Sequence, residues 1–343
     1  MSASTLVTIW SSNRTEPLLS QIPESIVNKL LEQLPAAGTI VTFIDGKRCR
    51  MLRKSLGDYS AIAFSDNLDQ VKSKKTLEAE VAVFLAAAPA IYAALERAER
   101  RTRRLLHNLK SLTAKTSQEI FYIAQQNRLL GNPREIIPYL SSEIRDDVEG
   151  TAKALLEILK HQAAQKAEYT AFDRLSGVIQ QGKFELHDVH RVLMNVFYLF
   201  FGEFVEKKVR VDVGATQVQA WFDYDSIHVC IYYVVENAVK YTRHNSDLSV
   251  SVIKNSDGLV DIRFSMESLS IKPDEKERIF EEEYSGANAK NAKLSGAGIG
   301  LYLARSMAKM NAGSLNVHPG PPLGGSQYSR NTFVLTLPAR KLP

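Results

Sequence analysis

Glu236-Asn237-Ala238-Val239-Lys240-Tyr241-Thr242 is followed, about sixty residues on, by Ser295-Gly296-Ala297-Gly298-Ile299-Gly300-Leu301. The first stretch reads as the end of an apolar helix beginning near Ser226. It sets an amide at Asn237, a cation one turn on at Lys240, and an aromatic ring at Tyr241 along one face. Asn237 offers a carboxamide oxygen, a hard ligand suited to Mg²⁺. Lys240 brings an ammonium within reach of the same anion. The second stretch is a turn whose glycines 296, 298 and 300 let backbone N–H groups approach anionic oxygens. The helix starting near Leu301 adds the positive end of its dipole. Each stretch alone is ordinary. In this order they read as two walls of one triphosphate pocket.

The chain has 343 residues, enough for two or three domains. With 45% apolar and 24% charged residues, its composition is that of a soluble globular protein. Cys49 and Cys230 lie far apart, in no metal-type spacing and no disulfide framework, which fits a reducing cytoplasm. The net charge is a modest +5, and Arg97, Arg100, Arg101, Arg103 and Arg104 read as the solvated face of a helix, so no nucleic-acid partner is expected. No charged-then-apolar leader opens the sequence. The longest apolar stretch, Val81 to Leu95, contains Pro89 and is too short to span a bilayer, so no membrane span is expected.

Three textures divide the chain. Residues 1–75 read as a small α/β regulatory domain, with strands at Leu6–Trp10, Thr39–Ile44 and Ser60–Phe64, a helix over Ile22–Leu34, and a hairpin turn at Asp45-Gly46. Residues 76–172 are helical. One run extends from about Ser73 to Leu130, Gly131-Asn132-Pro133 stops it, and a second runs from about Glu135 to Tyr169. Such an antiparallel hairpin cannot bury both faces alone, which predicts a homodimer built on a four-helix bundle. Residues 173–343 mix helices at Val189–Val205, Ser226–Tyr241 and Leu301–Met310 with strands at Lys208–Val213, Leu248–Ile253, Leu259–Phe264 and Thr332–Leu337. The whole is a multidomain α+β chain ending in a layered sheet.

In the first helical run, Leu105, Leu109 and Leu112 form an apolar stripe, while His107 and Ser111 share a neighbouring, more exposed face. A solvent-facing imidazole on a rigid helix is a suitable phosphoryl acceptor. Asn108 is placed to orient the ring, and Ser111 to orient a water or phosphoryl oxygen.

His107-Asn108-Leu109-Lys110-Ser111-Leu112 is similar to the phospho-acceptor box of sensor histidine kinases. The resemblance continues through Phe184–Met194, Asp223-Tyr224-Asp225, the asparagine box at Asn237, the phenylalanine box at Arg278–Tyr284, the glycine box at Gly296–Leu301 and the closing Gly324-Gly325 with Thr332–Pro338. It implies a Bergerat-like ATPase fold, an α/β two-layer sandwich, over 173–343. It implies ATP and Mg²⁺ held by Asn237, Lys240, Tyr241, Gly296, Gly298, Gly300 and Leu301, with Asn237 the metal ligand. Gly286–Leu294 would be a mobile lid. The implied activity is autophosphorylation on His107, with Asn108 and Ser111 beside it, then transfer to an aspartate of a response-regulator receiver domain.

The sequence departs from that pattern in three places. Met266, Ser268 and Ser270 stand at the aspartate and the glycines of an Asp-x-Gly-x-Gly segment whose aspartate accepts a bond from the adenine amino group. A thioether is at best a weak acceptor, and the loss costs roughly 1.5–3 kcal/mol. Glu267 reaches that place only if the strand slips by one residue. Tyr233 replaces the first asparagine of the asparagine box, and Asn108 replaces an acidic neighbour of the histidine. The alternative expectation is therefore a catalytically impaired pseudokinase, or a phosphotransfer or regulator-docking protein that does not use ATP. A third, weaker one is a chaperone- or topoisomerase-like ATPase, against which the histidine-bearing hairpin argues.

Overall fold

Short alternating strands and one amphipathic helix build the N-terminal part. The computed structural model describes residues 5–34, 36–44, 46–176, 182–294 and 296–341, in two units, Met1–Arg104 and Leu105–Pro343. The first unit contains β1 (Thr5–Ser11), β2 (Leu19–Ser20), α1 (Glu24–Gln33), β3 (Gly38–Ile44), β4 (Lys47–Leu56), β5 (Tyr59–Ser65), α2 (Leu68–Lys72) and the start of α3 (Lys74–Ile123). Its five strands form an antiparallel sheet in the order β2-β1-β5-β4-β3. β4, unassigned in the sequence reading because its charged side chains obscure the alternation, pairs with β3 from Ile44↔Lys47 onward. Asp45, the first residue of the expected turn, lies outside the described residues.

The sheet is covered on both faces. On one, Ile22, Val27, Leu30 and Leu34 pack with Met51 and Ile62. On the other, Leu77, Val81, Leu85 and Ala88 of α3 pack with Val7, Ile9, Leu52, Ala61 and Ala63. By length and composition α3 is long and apolar enough to cross a membrane, and those four residues are buried against the sheet.

The second unit begins within α3 and continues through α4 (Gln126–Leu129), α5 (Pro133–Asp146) and α6 (Val148–Ser176). Three contacts lay α6 antiparallel to the end of α3: Asn108 with Glu168, Thr113 with Gln165, and Tyr122 with Asp147. The expected single helix from Glu135 to Tyr169 is broken at Asp147. Its carboxylate accepts from Gly150 N at 2.8 Å and Tyr122 Oη at 2.9 Å, so it starts a new helix rather than continuing the old one.

The remaining elements are β6 (Phe184–Asp188), α7 (Val189–Phe197), α8 (Phe201–Glu206), β7 (Arg210–Val213), β8 (Gln219–Asp223), α9 (Tyr224–Tyr241), β9 (Asp247–Lys254), β10 (Leu259–Leu269), α10 (Ala287–Asn291), α11 (Gly300–Met310), β11 (Ser314–His318) and β12 (Tyr328–Pro338). A five-stranded sheet runs β11-β12-β10-β9-β7, parallel only between β7 and β9; β6 and β8 make a separate pair. Val260, Ile262, Phe264 and Met266 of β10 alternate onto a core shared with α7, α9 and α11. The intervening Arg263 is exposed. One sheet face thus carries a helix layer, giving a two-layer α/β sandwich. Asp223 starts α9 by accepting from Ser226 N at 3.1 Å.

Candidate functional site

On α9, Tyr233, Asn237, Lys240 and Tyr241 fall at i, i+4, i+7 and i+8, one helical face. That face forms a wall of a cavity of about 370 Å³. The opposite wall is the glycine turn: Gly296, Gly298, Gly300 and Leu301 line the same space. Contact between the walls is direct. A Cβ on Gly300 would lie 3.2 Å from Asn237 Nδ2 and 3.3 Å from Tyr233 Cδ1. Gly298 has φ +69°, a conformation glycine adopts without strain, and its Cα faces the backbone of Tyr284. Ser295 lies outside the described residues.

Asn237 donates from Nδ2 to the carbonyl of Tyr233 at 2.6 Å, which leaves Oδ1 as its oxygen for the cavity. That atom fits a hard cation. Burial pulls the Lys240 ammonium below its ordinary range, with Glu236 opposing. Glu236 lines the cavity and its side chain is exposed there, although protein crowds around the carboxyl. Burial, then the Glu168 carboxylate, pushes its carboxyl up to about 7. Lys207, whose Nζ bonds the carbonyls of Lys240 at 3.0 Å and Val239 at 2.5 Å, closes the end of α9 with a cation at the negative helix terminus.

The segment over the cavity carries α10 and is anchored at two points. Asn288 Nδ2 donates to Ser270 O at 2.6 Å. The Glu275 carboxylate accepts from Ala287 N at 2.7 Å, Tyr284 Oη at 3.0 Å and Lys272 N at 3.3 Å. Burial pushes Glu275 up, but these bonds outweigh it and hold the carboxyl below its usual range. Sequence reasoning missed Glu275. The available signal was an acid three residues after Lys272 at the start of a short helical turn.

His107 and Ser111 lie on the exposed face of α3, and neither is in the cavity wall; Leu105 is buried, and Leu109 and Leu112 half-buried. Asn108, one residue from the imidazole, is in the wall. Its Nδ2 donates to Glu168 Oε1 at 3.0 Å, and Tyr233 Oη donates to the same oxygen at 3.2 Å.

Residues 222–341 match the family described as "Histidine kinase-, DNA gyrase B-, and HSP90-like ATPase". The histidine protein kinase SaeS of Staphylococcus aureus is 27% identical over 193 residues, covering 53% of this chain and 54% of that one. Residues 222–341 thus carry an ATPase domain of this family, and the chain resembles a histidine kinase over the stretch it shares with SaeS. It spans about half the length of the curated relatives it matches. Among solved structures, the mycobacterial sensor histidine kinase MprB aligns at 19% identity with TM-score 0.39, over 47% of this chain and 100% of that one. The histidine kinase AdeS of Acinetobacter baumannii aligns at 15% identity with TM-score 0.40, over 60% and 95%.

Within this ATPase domain, the segment of Met266 is strand through Leu269. Met266 pairs with Leu248 on one side and Asn331 on the other, so no one-residue slip occurs. Met266 is buried in the cavity wall, whereas Glu267 faces the other side, where Arg330 Nη2 reaches it at 3.2 Å. Ser268 Oγ accepts from Asn331 Nδ2 at 2.9 Å. The wall around Met266 is apolar, with Leu269, Ile271, Ile279, Leu303 and Phe333. One end of the cavity chemistry thus suits a flat, largely apolar group, and the other suits phosphates.

Proposed function

We propose that the chain is a soluble, cytoplasmic, homodimeric sensor histidine kinase that autophosphorylates on His107 and passes the phosphoryl group to an aspartate of a response-regulator receiver domain. One observation carries this reading. Asn108 lies in the wall of the cavity formed by Asn237, Lys240 and the glycine turn, so the helix bearing an exposed His107 meets the nucleotide site of its own chain.

In the transfer, an imidazole nitrogen forms a P–N bond as the bond to the β,γ-bridging oxygen breaks. ADP leaves, and the ring proton passes to water. Lys240 and the N–H groups of the glycine turn hold the triphosphate oxygens. Asn237 Oδ1 would hold Mg²⁺, which, when bound, supplies charge neutralisation on the phosphates. The protein's contribution is positioning and electrostatics. Pairing with a second copy is supported by the apolar residues that α5 and α6 leave exposed, among them Ile137, Val148, Leu155, Leu156 and Leu159.

A second reading, a pseudokinase or phosphotransfer protein that does not use ATP, is favoured by Met266, which stands where the resemblance puts the carboxylate that accepts from adenine. Incubating purified protein with γ-labelled ATP and Mg²⁺ separates the two. Label that survives alkali and disappears in His107→Ala is expected for the kinase. No label, with no ATP binding at millimolar concentration, selects the second reading.

A further inference from the structure

The bonds of Glu168 join three segments that are remote in sequence. Its Oε1 accepts the amide N–H of Asn108 from α3 at 3.0 Å and the phenol O–H of Tyr233 from α9 at 3.2 Å. Asn108 is the covalent neighbour of His107. Tyr233 holds Asn237 through its carbonyl at 2.6 Å, and its ring packs where a Cβ on Gly300 would lie 3.3 Å away. All of these except His107 are in the cavity wall. A single carboxylate oxygen therefore ties the histidine-bearing stretch to the α9 wall, against which the glycine turn packs.

The chemistry of the junction is matched. Both donors are neutral and the acceptor is a carboxylate, so each bond is charge-assisted without setting two charges of one sign together. An acid at position 108 would bring a second carboxylate to the distance where the amide nitrogen now sits, and the two would repel. An asparagine at 233 would be too short to replace the phenol, whose oxygen lies a whole ring beyond Cβ. Asn108 and Tyr233, the two departures that look like separate losses in the sequence, serve one contact.

We infer that Glu168 is a positioning residue for phosphoryl transfer. It sets the stretch around His107 against the nucleotide cavity through Asn108 and Tyr233, acting on the transfer step more than on nucleotide affinity. This rests on the kinase reading above.

Three full-length variants test it: Asn108→Asp, Glu168→Gln, and the two together. Single-turnover labelling at saturating γ-labelled ATP is measured beside ATP affinity by titration and hydrogen exchange of the amides in 105–112. Asn108→Asp is expected to slow labelling about tenfold or more and to speed that exchange, with ATP affinity changed by less than the labelling rate. Adding Glu168→Gln restores a donor–acceptor match and is expected to return both readouts toward the parent, while Glu168→Gln alone keeps an acceptor and has the smaller effect. Labelling in Asn108→Asp as fast as in the parent, or a double variant no better than Asn108→Asp, overturns the inference. If the parent does not label, the kinase reading fails separately. Exchange then decides: protection of 105–112 lost in Asn108→Asp and regained in the double variant upholds the junction, and unchanged protection ends it.

Discussion

Lys240 and Gly296 touch: a Cβ placed on Gly296 would lie 2.7 Å from the Lys240 ammonium nitrogen. The charge on α9 thus sits directly over the first glycine of the opposing turn. The obstruction is the tip of a flexible side chain, so Gly296→Ala should fold normally but push the ammonium aside. ATP affinity is expected to fall about tenfold, the scale of one weakened charge-assisted bond, with the melting temperature unchanged. Titration calorimetry and thermal unfolding check the pair. Equal affinity would mean that Lys240 does not serve the phosphates.

Gly298→Ala is a different kind of change. Its φ is +69°, and a Cβ would stand 2.5 Å from Tyr284 O and 2.7 Å from Glu283 C, both backbone atoms. No rotamer relieves such a clash, so the segment 283–286 must move. A cost of about 1–3 kcal/mol is expected from the strained backbone, together with loss of ATP binding and faster hydrogen exchange over 283–291.

Much of this site was legible because its groups are local. Asn237, Lys240 and Tyr241 share a helical face, and three glycines two residues apart announce a backbone cradle; neither needs a fold to be recognised. What was not legible is carried by single residues with no periodicity. Glu168, on α6, reads in sequence as one more exposed helix acid. Its role arises only because Asn108 and Tyr233 arrive at it from 60 and 65 residues away. The break at Asp147 was hidden for the same reason, since the helical pattern continues across it and the competing bonds come partly from Tyr122. β4 was missed because arginines and lysines interrupt its alternation. In contrast, the one-residue slip that would bring Glu267 to the place of Met266 does not occur: the strand register is continuous, and Glu267 faces away from the cavity.

Met266→Asp therefore supplies what the base end lacks. The introduced carboxylate would sit at the place where the family resemblance puts an acceptor for the adenine amino group. A bond to a charged acceptor is worth about 1.5–3 kcal/mol, or about one to two decades of affinity. ATP binding should tighten by that amount and binding of ITP, which lacks the amino group, should not. The ligand-free protein should melt at a lower temperature, because an unpaired carboxylate is then buried among apolar side chains. A parallel gain for both nucleotides would show that Met266 is not beside the base.

Asp223 joins two elements by a buried ion pair. Its Oδ2 lies 2.8 Å from Arg174 Nη2 at the end of α6, with side chains 4% and 9% exposed, and it also caps α9. Asp223→Ala leaves the guanidinium buried without its partner. A loss of about 3–5 kcal/mol is expected in denaturant unfolding of the full chain. A loss below about 1 kcal/mol, the range of surface pairs, would show that water reaches the guanidinium.

Because Asn108 lines the cavity of its own chain, the γ-phosphoryl group should reach His107 of the chain that binds the ATP. Two inactive variants make this visible. His107→Ala keeps the cavity and lacks the acceptor; Asn237→Ala keeps the acceptor and weakens the cavity. In the homodimer proposed above, mixing and subunit exchange would give pairs in which each chain holds what the other lacks. Transfer within a chain predicts no label on either. Transfer between chains predicts label on the Asn237→Ala chain, readily identified with a size tag. Label there at a rate near half that of the parent would show that the contact from Asn108 through Glu168 to Tyr233 belongs to a resting arrangement rather than to the transfer step. Its absence, with subunit exchange verified by crosslinking, would assign the reaction to one chain.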